Sequence, residues 1–455
     1  MAETLLSLGL DVGTTTTQLI LSRLTVQNLA NAFSVPQMQI TDRQILYKSP
    51  VYFTPLRNEE LVDGEAIRCI VEKEYANAGI DRSRVDTGAI IITGETSRKD
   101  NARAVLRELS GFAGDFVVAT AGPDLESILA AKGAGAVAYS EKTGKTVLHM
   151  DIGGGTSNLS LIENGKITAT GCLNVGGRLL KFDKSGKITY VSPVLAGLTD
   201  LQVGDYPAAG QVEAIAQILT HGLEMAAGLR PKTELLDKLL TREVSVPWQI
   251  PSQAVLSFSG GVADCIAKEH HAFAFGDMGS QLGKAIKESL LCQGAYILGQ
   301  ETIRATVIGA GSHTTQLSGS TVFYQNVELP LKNLPVVVLS AQEQLNSEVI
   351  RKKLAQKDDA KAVLFLPGFP SPGYEKVEAL AKAIFQAVGD RAVYVCLESD
   401  MAKALGHSLS LLQSPHTPCL CIDGVYLTED SFLDIGVPIG PALPVVIKTL
   451  VLNQG

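Results

Sequence analysis

Two stretches of the chain share one rhythm. An apolar run from Leu5 to Leu10 breaks at Asp11-Val-Gly-Thr-Thr-Thr-Thr and resumes with alternating apolar positions, and Val147 to Met150 does the same at Asp151-Ile-Gly-Gly-Gly-Thr-Ser. Period-two alternation on both sides of small residues able to take φ > 0 predicts strand, tight turn, strand at each place. A third apolar strand, Ala254 to Phe258, ends in Ser259-Gly260-Gly261-Val262-Ala263-Asp264, with helical periodicity from Cys265 onward. From about residue 291 the pattern alternates between strands (Pro335 to Leu339, Ala362 to Leu366, Ala392 to Leu397, Pro418 to Ile422) and helices (Gln342 to Ala355, Tyr374 to Val388, Asp400 to Gln413). That succession predicts a further βα-rich domain.

The two hairpins are copies of each other: residues 11–21, DVGTTTTQLIL, align without a gap on residues 151–161, DIGGGTSNLSL. A Gly/Thr turn lets backbone N–H groups approach an anion, and Thr hydroxyls add donors, so each turn suits a phosphate chain and the pair can grip one from opposite sides. The candidate phosphate-binding residues are Gly13, Thr14, Thr15 and Thr16 in the first turn and Gly153, Gly154, Gly155 and Thr156 in the second. Asp11 and Asp151 end the leading strands at the turn mouths. A carboxylate beside phosphates repels them unless a divalent cation sits between, usually through waters, so Asp11 and Asp151 predict Mg²⁺. Either hairpin alone would read as an ordinary Gly-rich turn capped by Asp; their shared register argues against that. Gly260 and Gly261, opening a helix, permit close approach of a flat ring or an α-phosphate. Valine at Gly153 or Gly260 is expected to abolish nucleotide binding while leaving the fold intact.

Composition narrows the picture. At roughly 150 residues per domain, 455 residues suggest about three domains. With 39 Lys plus Arg against 47 Asp plus Glu, a net charge of -8 and no basic run, a nucleic-acid partner is not expected. The N-terminus lacks a signal peptide's cationic region, and no apolar stretch approaches the ~18 residues of a membrane helix, so a cytoplasmic protein without a membrane partner is expected. The 7 scattered cysteines read as reduced thiols, with Cys419 and Cys421 on one face of a strand. His313, His407 and His416 read as solvated or core histidines rather than cobalt ligands. Val307 to Ser312 reads as a turn after an apolar strand, because Thr314 occupies the third Gly position of GxGxxG.

In their order, the two hairpins and the Ser259-Gly260-Gly261 element resemble the phosphate-1, phosphate-2 and adenosine motifs of the actin, Hsp70 and hexokinase superfamily. Lys132-Gly-Ala-Gly-Ala-Val-Ala-Tyr139 resembles its small-residue helix crossing between lobes, Phe275-Gly-Asp-Met-Gly-Ser-Gln-Leu-Gly283 resembles that helix's partner, and Gly176 and Gly177 sit where Hsp70-like proteins place a second Gly pair against the nucleotide. The resemblance implies a two-lobed α/β clamp of duplicated ribonuclease-H-like lobes with a C-terminal α/β domain. The expected division is residues 1–120 with an insertion about 35–81, residues 121–290 with an insertion about 178–249, and residues 291–455. Hsp70-like proteins carry a water-orienting Glu where Ala131 aligns; the nearest acids are Asp124 and Glu126, and slow hydrolysis is expected.

Longer stretches, including GLDVGTTTTQL from Gly9, ITGETSRKDNA from Ile92, HMDIGGGTSNL from His149 and FLDIGVPIGPALPVVIKTLVL from Phe432, resemble the ethanolamine ammonia-lyase reactivating factor (EutA) family over the full length. The resemblance implies an ATP- and Mg²⁺-dependent chaperone that releases damaged cobalamin from ethanolamine ammonia-lyase so that intact adenosylcobalamin can enter. It implies ATP or ADP and that enzyme as partners, is compatible with a homodimer, and extends to association with a bacterial microcompartment. Ile92 to Asn101 reads either as a strand-to-helix connection capped by Thr96 or Ser97, or as a first-lobe surface for nucleotide or partner. The competing functions are a small-molecule kinase on the same clamp and a nucleotide-binding module without turnover.

Overall fold

A computed structural model describes residues 3–13, 16–28, 38–58, 61–93, 101, 105, 117–120, 123–241, 250–251, 253–299, 301–313, 315–318, 321–357, 361–427, 431–438 and 442–449. Thr14, Thr15 and residues 94–100 lie outside them. The first sheet is built from β1 (Glu3–Val12), β2 (Thr16–Asn28), β3 (Met38–Lys48), β4 (Tyr52–Phe53), β5 (Thr87–Ile92) and β6 (Val117–Thr120), in the order β3-β2-β1-β5-β6, with β4 beside β2. The second comprises β7 (Val147–Ile152), β8 (Ser157–Glu163), β9 (Lys166–Leu173), a separate hairpin of β10 (Leu180–Phe182) and β11 (Ile188–Val191), then β12 (Val255–Ser259) and β13 (Tyr296–Leu298), in the order β9-β8-β7-β12-β13.

Counted within each lobe, both sheets read third, second, first, fourth, fifth. The first three strands are antiparallel and the last two run parallel to the first. The duplication seen in the turns is therefore a duplication of whole lobes. Apolar runs become central strands because both faces are covered: β7 is buried at every residue. The helix Gly64–Ala78 starts where the Asp63 side chain accepts from the Ala66 N–H and stops at Gly79 with φ 64°, and Ile67 and Val71 seal it onto Leu8, Leu10, Ile90 and Ile92. The expected insertion at 35–81 thus supplies the third strand and a core helix of the lobe. Likewise, the helix Gln211–Ala226, inside the expected 178–249 insertion, buries Leu219 and Leu223 in the second-lobe core.

The lobes exchange helices. Pro123–Gly133 follows the last strand of the first lobe but packs on β7, β8 and β9, while Ala305–His313 follows the last strand of the second lobe but packs on β1, β2 and β5. The helices cross backbone to backbone: a Cβ at Gly133 would stand 1.8 Å from the Ala305 carbonyl oxygen, and one at Gly309 would stand 1.9 Å from that of Leu129. On β1, a Cβ at Gly9 would meet the Val307 carbonyl at 2.7 Å. This corrects two expectations. Val307 to Ser312 is helix, and it, not Phe275 to Gly283, is the partner of the crossing helix. Gly279–Glu288 instead packs within the second lobe on Gly261–Ala267, with Gly283 against Cys265. The division expected at 290 also moves, since β13 and Ala305–His313 complete the clamp.

The third unit has its own sheet: β14 (Thr315–Leu317), β15 (Val322–Gln325), β16 (Leu331–Val338), β17 (Val363–Leu366), β18 (Val393–Leu397), β19 (Cys419–Asp423), β20 (Ser431–Ile435) and β21 (Pro444–Thr449). Its order is β14-β21-β20-β16-β17-β18-β19-β15, with β16 to β19 parallel. Helices Ser347–Gln356, Tyr374–Val388 and Ala402–Leu412 cover one face, where Cys419 and Cys421 lie side by side in the core; the other face closes through Leu334, Phe365, Leu420, Leu433 and Val445. β21 runs beside β6, the edge strand of the first lobe, and Ala305–His313 leads directly to β14.

Candidate functional site

The two turns are built by the same hydrogen bonds. The Gly13 N–H donates to the Thr16 carbonyl at 2.9 Å, and the Gly153 N–H donates to the Thr156 carbonyl at 2.9 Å. Across each hairpin the register places Gln18 opposite Asp11 and Asn158 opposite Asp151. Each lobe's fourth strand also ends in a hydroxyl aimed at its carboxylate: Thr93 Oγ1 donates to Asp11 Oδ1 at 3.0 Å, and the Ser259 hydroxyl donates to Asp151 Oδ1. The copies enclose one cleft. Asp11, Gly13, Thr16, Gln18 and Thr93 line it from the first lobe; Asp151, Gly153, Gly154, Gly155, Thr156, Asn158, Gly260 and Gly261 line it from the second; Glu126, Ile303 and Thr306 come from the crossing segments.

Both carboxyl groups are buried. Desolvation pushes Asp11 up to about 7, against the Thr93 hydrogen bond, with the Asp151 charge adding to the rise; desolvation pushes Asp151 up to about 6, against the bonds from Ser259 and Thr306. Two desolvated carboxylates near enough to feel one another call for a cation. Among the described residues no group of three or more His, Cys, Asp or Glu could hold a metal by side chains alone. What is present fits a cation held through water. Gln18 Oε1 and Asn158 Oδ1, directly across from the two carboxylates, are buried without a hydrogen-bond partner, as are acceptors meant for metal-bound water.

In the metal-free protein these raised values make folding take up protons, so their contribution falls as pH rises from about 4 through 6 and 7. Thermal melting of the metal-free protein is expected to drop across that window by more than in a protein carrying both Asp11→Asn and Asp151→Asn. Equal slopes for the two proteins would show that these carboxyls are not the source.

Several predicted residues play a different part. Gly176 and Gly177 do not line the cleft; they brace the second turn from behind. The Gly177 N–H donates to the Gly153 carbonyl at 3.0 Å, the Arg178 N–H to that of Gly154 at 2.6 Å, and a Cβ at Gly176 would stand 2.3 Å from the Gly154 oxygen. Gly260 has φ 86° and a Cβ there would stand 2.3 Å from the Ile152 carbonyl, so its glycine is demanded by the fold, against the expectation that valine would be tolerated structurally. At Gly153 the only contact of a Cβ is 3.5 Å, and at Gly155 there is none, so those glycines face open cleft.

Ala131 is fully buried against Val147, Ile162 and Val255 and faces the second-lobe core. The helix begins at Pro123, which puts Glu126 in its first turn and in the cleft, while Asp124 accepts from Thr170. Gln18, Asn158, Thr93, Ile303 and Thr306 were not singled out from the sequence. Extending the hairpin alignment to its eighth position would have found Gln18 and Asn158 as a matched pair of amides.

Against known proteins, the model of the family described as "Ethanolamine utilisation protein EutA" matches residues 3–453. A relative from Salmonella typhimurium strain LT2, described as "Ethanolamine ammonia-lyase reactivase EutA", is 38% identical over 98% of this chain and 98% of its own length. A relative from Escherichia coli K12 with the same description is 37% identical with the same coverage. Among solved structures, the ethanolamine utilization protein EutJ from Carboxydothermus hydrogenoformans is similar at TM-score 0.35 and 15% identity, covering 68% of this chain and 89% of that one. A Ppx/GppA family member from Aquifex aeolicus is similar at TM-score 0.37 and 16% identity, covering 68% and 88%. Matched by the family model over nearly its whole length, and by both relatives end to end, the chain belongs to the EutA family of ethanolamine utilisation proteins.

Proposed function

We propose that this chain reactivates ethanolamine ammonia-lyase, the role for which its two relatives are named, using Mg²⁺ and ATP held between the duplicated turns. The observation that carries the reading is the meeting of Asp11 and Asp151, from register-matched hairpins of two lobes, in one cleft with backbone-lined turns on both sides. Bound there, Mg²⁺ would draw charge from the phosphates and relieve the repulsion between the two carboxylates. Asp11 and Asp151, with the amide oxygens of Gln18 and Asn158, would orient its water shell. Gly13, Thr16 and residues 153–156 would cradle phosphate, and Gly260 and Gly261 would admit the nucleoside. Glu126, which lines the cleft, would be the carboxylate that orients an attacking water.

The same segment that touches the cleft leads to the third unit. The Gln18 amide donates to the Ile303 carbonyl at 3.1 Å, Thr306 Oγ1 donates to Asp151 Oδ2 at 3.5 Å, and the helix starting at Ala305 then runs through the crossing to β14. Across the cleft mouth, the Arg178 guanidinium, paired with Asp277 at 3.2 Å, lies 5.2 Å from the Phe53 ring on β4. A shift of the lobes must move these contacts together. That gives nucleotide state a path to a partner surface, with a leverage limited to its differential affinity for the two states, typically ~1–3 kcal/mol. In this reading the leverage loosens the damaged enzyme's hold on its cobalamin.

Glu126→Gln is expected to slow ATP hydrolysis by ~10²-fold while changing nucleotide affinity little, since a base acts on the transition state. Single-turnover hydrolysis beside equilibrium dialysis checks both. The proposal itself is tested by phosphate release from γ-labelled ATP with and without inactivated ethanolamine ammonia-lyase. Release stimulated by the inactivated enzyme supports reactivation; transfer of the label to a small acceptor would identify a kinase, and binding without turnover in either condition would identify a passive nucleotide module.

A further inference from the structure

Behind Asp151 lies a chain of polar groups that nucleotide binding alone does not require. His149 stands two residues before Asp151 on β7, and Ser257 and Ser259 stand on the neighbouring β12; all three are 0% exposed. His149 Nδ1 is 3.0 Å from Ser257 Oγ and its Nε2 is 3.0 Å from Ser259 Oγ, while the Ser259 hydroxyl donates to Asp151 Oδ1.

The chemistry of the donors fixes the direction of this chain. An ionised carboxylate only accepts, so Ser259 spends its one proton on Asp151 and its oxygen is left to accept from His149 Nε2–H. Nδ1 must then accept from the Ser257 hydroxyl. Only one tautomer of the neutral ring completes the sequence Ser257 to His149 to Ser259 to Asp151.

The first lobe lacks this chain. The position matching His149 is Gly9, where the helix Ala305–His313 leaves no room for a Cβ, and the residue paired with it on β5, where Ser257 pairs with His149, is Ala89, so Thr93 bonds Asp11 without a ring behind it. The duplicated site is therefore asymmetric below its matched surface.

We propose that His149 is a positioning residue which, acting through Ser259, holds the Asp151 carboxylate turned into the cleft and so sets the affinity for the divalent cation that accompanies the nucleotide. This rests on the Mg²⁺-nucleotide reading of the cleft. A hydroxyl that can donate only to Asp151 removes the alternative in which Ser259 turns toward the ring and the carboxylate rotates away.

The test is a Mg²⁺ titration of binding of a fluorescent ADP analogue, with a metal-free baseline in EDTA. Ser259→Ala is expected to raise the Mg²⁺ concentration at half-saturation by ~10-fold, the lower end for groups supporting a metal's ligands. Ser257→Ala should raise it by ~3-fold and leave metal-free nucleotide affinity unchanged. The double variant should be no worse than Ser259→Ala alone, because Ser257 acts only through the ring and Ser259. His149→Leu should resemble Ser259→Ala; if it does not fold, the serine pair still decides. Additive serine effects, no change in the Mg²⁺ requirement, or an equal loss of metal-free affinity would overturn the inference. A wild-type protein that binds the analogue without regard to Mg²⁺ would overturn both this and the reading of the cleft.

Discussion

Asp11→Asn is expected to raise the melting temperature of the metal-free protein at pH 8 while weakening Mg²⁺-dependent ATP binding by about 10–100-fold and abolishing reactivation. The two effects have one cause. Asp11 is desolvated and lies within range of Asp151, which holds it up at about 7, so above that pH the empty site keeps an unfavourable charge buried. An amide keeps the acceptor for Thr93 and removes the charge, which relieves the fold. It also removes the charge that compensates a cation, and the site no longer recruits one. Asp151→Asn should act in the same directions, with a smaller gain in the free protein because Asp151 is held up only to about 6. Differential scanning calorimetry with and without Mg²⁺-ADP, alongside equilibrium dialysis, reads both effects. A variant that lost stability and binding together would mean that Asp11 is a structural residue; one that kept normal ATP turnover would remove it from the site.

Gly309→Ala is expected to destabilise the clamp by ~3 kcal/mol or more, the upper range for forcing extra volume into a packed interior. A methyl at this position would stand 1.9 Å from the Leu129 carbonyl oxygen, 2.6 Å from its carbon and 2.9 Å from its Cα, all main-chain atoms that cannot swing aside. The two crossing helices must separate, and Thr306, one turn before Gly309, must leave Asp151. Gly133→Ala should do the same from the other side. Gly155→Ala is the contrast: nothing lies within 4 Å of its Cβ, so it should fold normally and lose nucleotide affinity alone. Circular dichroism melts with nucleotide titrations separate the two classes. Normal stability in Gly309→Ala would mean that the helices do not cross at this distance.

The hairpins were legible because they occur twice. A Gly/Thr turn is common, but two in register, each after a buried strand and an Asp, constrain one another, and the structure repeats their hydrogen bonds. Helices with one clean apolar face were legible too: Tyr374–Val388 lies where the periodicity puts it, while the one expected from Gln342 begins at Ser347 because Asn346 caps it. The crossing helix Ala305–His313 was not legible. Gly309, Gly311 and Ser312 weaken helix propensity and read as a turn; close packing against another backbone overrides propensity here, and that is a long-range fact. β3 was mistaken for part of an insertion because an edge strand with Thr41, Asp42, Arg43 and Gln44 in its middle shows no apolar run. Glu126 was found only as one of two nearby acids, since the start of its helix decides which residue reaches the cleft. The Ser257–His149–Ser259 chain needed two strands placed side by side.

The account rests on coupling between the cleft and a partner enzyme, which a binding measurement reaches most directly. The affinity of the protein for inactivated ethanolamine ammonia-lyase should be measured with ADP, with ATP and without nucleotide. The account predicts a difference between the ADP and ATP states, matched by an equal factor in nucleotide affinity when the partner is present, as linkage requires. Equal affinity in all three states, or no binding at all, would contradict it.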